Sequence, residues 1–277
     1  MSLRLEKIRI LSGGYCLQNR YFSGQRSVLF RKFHATFLHC IHPIHGEVVI
    51  DTGYGPKFLE TTSGFPERLY RWTTPVWGQS GFRSPDFFSR HGINGSDVSQ
   101  VFLSHFHADH IAGLEFYPNA RIVCRENAID HYRNGSRITN MKQGFLPALL
   151  PGDFERRSHR ISEKEFQPGP GPLRDFLAYD YWQDGTLLLV DLPGHAPGHT
   201  GFLLTTEADP VFYVADAWWD VAVFRAGRSL PGMARLIQYD YELYLDTQRK
   251  IRVLLDIFPC IPFASHCDKN PHFESTP

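Results

Sequence analysis

Ser104-His105-Phe106-His107-Ala108-Asp109-His110, directly behind the apolar run Val101-Phe102-Leu103, is the stretch on which the reading of this chain turns. Three histidines and one aspartate fall within six residues after what reads as a buried strand. Imidazole nitrogens suit zinc and its first-row neighbours, and a carboxylate beside them favours a hydrolytic over a purely structural site. In extended backbone, side chains two apart point the same way, so His105 and His107 can grip one ion together. A first helical turn at Ile111-Ala112-Gly113-Leu114 then displaces Asp109 and His110 from that pair and frees them for a second ion. A carboxylate there also faces a helix N-terminus, where negative charge is favoured.

Three later segments complete the pattern. Leu192-Pro193-Gly194-His195-Ala196-Pro197-Gly198-His199-Thr200-Gly201 is a Pro/Gly-punctuated turn between two apolar runs; Phe212-Tyr213-Val214-Ala215 delivers Asp216; Ile261-Pro262-Phe263-Ala264-Ser265 delivers His266. Each ends an apolar strand in a metal-capable side chain on a loop, which is how a rigid scaffold presents a site. Singly, each reads equally well as a capping aspartate, a turn histidine or a core histidine. In this order, chance is a poor account of them.

The order His-x-His-x-Asp-His, then a doubled Pro-Gly-His turn, a strand-end Asp and a late Ser-His resembles the metallo-β-lactamase superfamily of hydrolases. Asp51-Thr52-Gly53, after Glu47-Val48-Val49-Ile50, is similar to that family's upstream Asp-Thr-Gly, whose aspartate supports the site from behind the ligands. The resemblance spans Asp51 to His266. It implies His105, His107 and His199 on one metal, Asp109, His110 and His266 on the other, and Asp216 bridging both. The second histidine of the doubled turn is read as matching the ligand position, which leaves His195 a supporting or loop residue. The implied cofactor is a pair of divalent ions, zinc first, with manganese, iron and cobalt served by the same donors. The implied fold is a four-layer αβ/βα sandwich of the α/β class, two mixed β-sheets flanked by helices.

A divalent ion lowers the pKa of its bound water toward ~7, so the resemblance implies a hydrolase that attacks with a hydroxide shared through Asp216. Asp109 has a further expected role in orienting that hydroxide and passing its proton to the leaving atom. In layout the chain resembles quorum-quenching acyl-homoserine lactonases, which points to a lactone or related carboxylic ester. A glyoxalase-II-like thioesterase, a phosphodiesterase and a non-catalytic metal- or ligand-binding protein are the alternatives. Those lactonases carry a tyrosine three residues beyond the bridging aspartate, where this chain has Trp219, preceded by Trp218. An indole N–H donates but does not ionise usefully. Trp218 and Trp219, with Phe106, either wall an apolar pocket for an acyl chain or pack in the core.

Charges balance at 29 basic against 29 acidic residues, so no global field pulls the chain toward nucleic acid or an anionic membrane. Arg156-Arg157-Ser158-His159-Arg160 reads as a solvated basic face. No apolar run approaches the ~18 residues of a membrane span, and Met1 to Lys7 carries no signal-peptide core, from which a cytoplasmic location is expected. The expected partner is a small molecule, and a homodimer is compatible with the aromatic stretch Tyr70 to Phe88, which could equally form a lid. Five cysteines without CxxC spacing read as reduced core residues, and Cys267, beside His266, points away from it on an extended segment. His39, His42 and His45 flank a hairpin turn.

With 277 residues and 42% hydrophobic content the chain fits one large domain, residues 1–277. Leu3 to Leu11 and Val28 to Ile41 read as early strands, Gly53 to Gly81 as a long irregular connection, and Ser84-Pro85 as a helix start. Residues at about 134–171 read as an insertion with a helix near Asn140 to Leu149. Tyr239 to Ile257 reads as the longest helix.

Overall fold

Alternating strands decide the architecture. The structure, a computed structural model, describes residues 3–77, 88 and 91–267; the expected helix start at Ser84-Pro85 lies outside them. Strands β1 (Lys7–Asn19), β2 (Phe30–His42), β3 (Gly46–Ile50), β4 (Val76–Trp77), β5 (Gln100–Phe102), β6 (Arg121–Arg125) and β7 (Ser158–Ile161) form a sheet of order β4-β1-β2-β3-β5-β6-β7. Strands β8 (Gln167–Pro168), β9 (Leu177–Asp180), β10 (Leu187–Asp191), β11 (Thr200–Leu204), β12 (Val211–Tyr213) and β13 (Ile261–Phe263) form the other, of order β13-β12-β11-β10-β9-β8. Both are mixed: β3, β5, β6 and β7 pair in parallel, as do β12 and β13, and the remaining ladders are antiparallel.

Period-two alternation sends each strand's side chains into different layers. Leu38, Val48, Ile50, Phe102 and Val123 face the second sheet and meet Leu189, Phe202 and Tyr213. Their neighbours Phe37, Val49, Val101 and Ile122 face outward and are covered by Phe58, Ile129 and Tyr132 from the helices Pro56–Thr61 and Glu126–Arg133. On the far side, Leu188, Val190, Phe212 and Val214 pack under Ile251 and Leu254 of the helix Tyr241–Ile257. The result is the four-layer αβ/βα sandwich, two mixed sheets flanked by helices.

Several expectations are corrected by local physics. β1 runs on past Leu11 because Gly13-Gly14, which reads as a break, forms a bulge between Ser12 and Tyr15 with Gly14 at φ 91°. Residues 53–77 are not irregular: Pro56 opens one helix, Glu67–Thr73 forms another, and β4 follows. The helix expected near Asn140 to Leu149 begins earlier, at Arg137 behind the N-cap Ser136, and ends at Lys142 before Gly144 takes φ 79°. Residues 134–171 supply β7 and β8, the edge strands of the two sheets, and so are woven into both. Arg157 is not solvated either; its guanidinium donates to Tyr117 O and Ala120 O, while Arg156 pairs with Asp153 and Arg160 with Glu155.

Candidate metal centre

Five loops meet where β3, β5, β10, β12 and β13 end, and one carboxylate organises them. Asp51 follows β3 with φ 60°, a left-handed backbone conformation held by four hydrogen bonds. Its Oδ1 accepts from Ser104 N (2.8 Å), and its Oδ2 accepts from Ser104 Oγ (2.7 Å), Tyr213 OH (2.7 Å) and His110 Nδ1 (2.8 Å). Ser104 Oγ, its proton given to Asp51, accepts from His105 Nδ1 at 3.0 Å. His266 Nδ1 donates to His34 O at 2.7 Å. His195 Nδ1 donates to Gln238 Oε1 at 2.8 Å, and the Gln238 amide in turn donates to Ala234 O. Fixing Nδ1 in each ring turns Nε2 of His105, His110, His195 and His266 inward.

The inward atoms converge. His105 Nε2, His110 Nε2 and Asp216 Oδ1 are buried without a hydrogen-bond partner. His110 Nε2 lies 3.4 Å from Asp216 Oδ1, and His107 Nδ1 lies 3.0 Å from His195 Nε2. Asp216 Oδ2 is 3.3 Å from His195 Nε2 and 3.0 Å from His266 Nε2, which is 3.4 Å from Asp109 Oδ2. Ligand atoms of His105, His107 and His195, of His105, His110 and Asp216, and of Asp109, His110 and His266 each lie within 4.8 Å of one another. Buried polar atoms are almost always paired, so this many orphaned acceptors around two carboxylates fit divalent cations. Ala215 at φ 47° makes the sharp turn that aims Asp216 into the cluster.

The doubled turn departs from expectation, because the structure brings His195 and not His199 beside His105 and His107. Gly194, at φ 124°, presses the turn against the helix Tyr241–Ile257, where a Cβ would lie 2.1 Å from Tyr244 N, and this throws His195 toward the cluster. His199 uses both ring nitrogens on backbone: Nδ1 donates to Leu192 O at 2.7 Å and Nε2 accepts from Asp216 N at 3.1 Å. It therefore holds the bridging-position loop and has no nitrogen left for an ion.

Electrostatics divide the histidines. Burial, reinforced by neighbouring histidines, pushes His105 and His107 well below the usual imidazole range, and His195 is lowered mainly by burial. Burial also opposes a charge on His110 and His266, but the carboxylates of Asp51 and Asp109 for the first, and of Asp216 and Asp109 for the second, outweigh it and raise both. Burial works against the Asp216 anion too, and His266 and His195 overcome it, holding its carboxyl well below the ordinary range.

A cavity of about 470 Å³ opens on the cluster. Asp109, His107, His195, Asp216, His266 and Trp219 form its floor, and Trp219 Nε1 donates to Asp216 Oδ2 at 3.0 Å. Phe106 and Trp218 do not line it. Phe106 packs edge-on to Tyr132, Phe145 and Phe154, and Trp218 stacks on Phe224 in the core beneath the second sheet. The walls come from two helices: Leu69, Tyr70 and Thr73 of Glu67–Thr73, and Met141 and Lys142 of Arg137–Lys142. Glu67 bridges to Arg137 by two bonds of 2.6 and 2.7 Å. Gly144 closes down on His107, where a Cβ would meet the ring at 2.7 Å.

Sequence reasoning missed Gln238, Tyr213 and the lining cysteine Cys16. A polar residue inside an apolar strand end was the only signal for Tyr213, and Gln238 gave none. Cys267 is buried in the core beneath the second sheet, and no disulfide joins the five cysteines. The His42, His45 and Asp184 group has ligand-like spacing. However, His42 Nδ1 accepts from Ile44 N and His45 N, both at 3.0 Å, which commits Nε2–H to Asp184 and Thr186. That ring is a turn lock and leaves no lone pair for a metal.

Comparison with known proteins places the fold. The family model "Metallo-beta-lactamase superfamily" matches residues 45–256. An N-acyl homoserine lactonase, AttM of Azorhizobium caulinodans, is 30% identical over 51% of this chain and 49% of its own length. The metallo-hydrolase mfmC of Annulohypoxylon moriforme is 28% identical over 73% of this chain and 53% of its own. The cytochrome P450 monooxygenase mpaDE of Penicillium brevicompactum is 31% identical over 50% of this chain and 16% of its own. The chain thus spans about half or less of the curated relatives it matches. Among solved structures, B. thuringiensis AiiA with N-decanoyl-L-homoserine at its active site superposes with TM-score 0.70 at 17% identity, covering 97% of this chain and 95% of that one. AidC, a dizinc quorum-quenching lactonase with a bound product, gives TM-score 0.67 at 17% identity over 97% and 91%. At that identity the structures speak to the fold, and the family match covers most of the chain: it belongs to the metallo-β-lactamase superfamily, whose members include metal-dependent hydrolases.

Proposed function

We propose that this chain is a dinuclear metal-dependent hydrolase that opens a lactone or cleaves a related carboxylic ester. The reading is carried by the buried, unpartnered His105 Nε2, His110 Nε2 and Asp216 Oδ1, the last on a residue that lines the cavity. His105, His107 and His195 would hold one ion, Asp109, His110 and His266 the other, and Asp216 would be shared. Zinc suits this donor set. Divalent ions bound there supply a water whose pKa is lowered toward ~7 and polarise a carbonyl.

The chain's own residues do the rest. Asp109 lines the cavity beside His266 and is placed to take the proton of the attacking water and return it to the leaving oxygen. Trp219 spends its N–H on Asp216, so it orients that carboxylate instead of polarising the substrate. Phe22, Phe33, Leu69, Met141, Met233 and Ile237 line the cavity and suit an uncharged acyl group. Lys142 is the one Lys or Arg among the described lining residues, which favours a neutral ester over a phosphodiester.

The test joins metal analysis of purified protein to a panel of lactones, thioesters and phosphodiesters, read with a pH indicator beside a thiol reagent. Two bound metals and proton release from a lactone without thiol release are expected. Thiol release as the main activity would move the assignment to a thioesterase, and a metal-loaded protein inert on the whole panel would leave only a binding role.

A further inference from the structure

The chain's even charge balance conceals one lopsided face. Residues 20–36 and 221–239 hold seven basic side chains, Arg20, Arg26, Arg31, Lys32, Arg225, Arg228 and Arg235, and no acidic one. The two segments pack together: a Cβ on Gly24 would lie 2.7 Å from Val223 Cγ1, and Gln25 hydrogen-bonds Asp220. Arg31 is consumed by Asp220 and by the carbonyls of Trp219 and His266, whereas Arg26, Lys32, Arg225, Arg228 and Arg235 are exposed.

Large apolar side chains stand among these charges. Val28 is 80% exposed, Leu29 65%, Phe30 69%, Met233 67% and Leu236 86%. Single exposed apolar residues need no explanation, but two adjoining segments that both present them mark an interaction face. Those segments also reach the cavity through Phe22, Met233 and Ile237, so the face rims the entrance to the candidate centre.

We propose that this face docks the protein on an anionic lipid surface, with the apolar side chains entering the headgroup region and the arginines and Lys32 meeting lipid phosphates. Apolar anchors ringed by basic residues are the chemistry such surfaces select. A self-complementary contact between two copies would instead set like charges against like. The balanced total does not oppose docking, because a surface senses charge only within a Debye length, about 8–10 Å. Docking would turn the cavity mouth toward the bilayer, from which an acyl substrate partitions; such a substrate route rests on the proposed hydrolase reading, and the docking itself does not.

Sedimentation of the full chain with extruded vesicles tests the proposal. Co-pelleting is expected with phosphatidylcholine vesicles containing phosphatidylglycerol, weakly with phosphatidylcholine alone, and less at high salt. The double variants Leu29→Ser/Leu236→Ser and Arg26→Glu/Arg228→Glu should each reduce the bound fraction by about tenfold or more with an unchanged circular dichroism spectrum. Leu177→Ser, an exposed position at the start of β9, should bind like the parent. No binding to anionic vesicles, binding indifferent to both double variants, or a dimer in light scattering that Leu236→Ser dissociates would overturn it. None of these readouts requires turnover, so failure of the hydrolase reading is seen separately.

Discussion

Trp219 donates its indole N–H to Asp216 Oδ2, an oxygen already within 3.3 Å of His195 and 3.0 Å of His266. Trp219→Phe keeps the ring and removes the bond. Loss of such an orienting partner costs ~10–100-fold in metal affinity, so chelator competition should show that loss with little change in Tm. His199 carries a different consequence. Burial first, then the charge of His195, lowers its pKa to about 3. The unfolded chain titrates near the ordinary value of about 6.5, so as pH falls the unfolded state takes the proton first; stability is intact above about 6.5 and declines below it. By pH 5 this one group removes about 2 kcal/mol, and the Tm of chelator-treated protein should fall between pH 7 and pH 5 by less in His199→Asn than in the parent. At this scale the sequence shows which residue types are present but not where their nitrogens point. His195 and His199 share the context Pro-Gly-His, and only the Gly194 contact with the helix and the Leu192 carbonyl separate their roles.

The helices Glu67–Thr73 and Arg137–Lys142 both wall the cavity and are tied by the Glu67–Arg137 pair. The Arg137 side chain is largely exposed, and such a pair adds little to global stability. Its expected effect is on the cavity: Glu67→Gln should raise KM for a turned-over ester several-fold while Tm stays within a degree or two of the parent, and an equal drop in kcat with unchanged KM would contradict the wall role. The wall helices were hard to read in advance because their polar and apolar residues serve a cavity and not a continuous core. Tyr70 and Met141 interrupt the period that marks a buried helix face. Strands β3, β5, β10 and β12 were legible, since each is a short apolar run ending in a polar or charged side chain. β1 was legible only in its first half, because glycines that build a bulge look the same as glycines that end a strand.

Across the whole molecule, two sheets supply rigidity and the loops at one end supply chemistry. Asp51, the 105–110 segment, the 195 turn, Asp216 and His266 come from positions up to 215 residues apart, and the sandwich brings them together. The four layers were anticipated because the order of these motifs resembles the metallo-β-lactamase superfamily, and strands alternating with helices fit two mixed sheets between helices. Pocket composition and the basic, apolar rim were not legible, because both arise from segments distant in sequence. The central claim is a two-ion centre in which His195 is a ligand and His199 is not. Metal content after dialysis, measured by mass spectrometry on the parent, His195→Ala and His199→Asn, tests it most directly. The account predicts two metals per chain in the parent and in His199→Asn, and a lost ion in His195→Ala; retention of both ions by His195→Ala with loss of one from His199→Asn would contradict it.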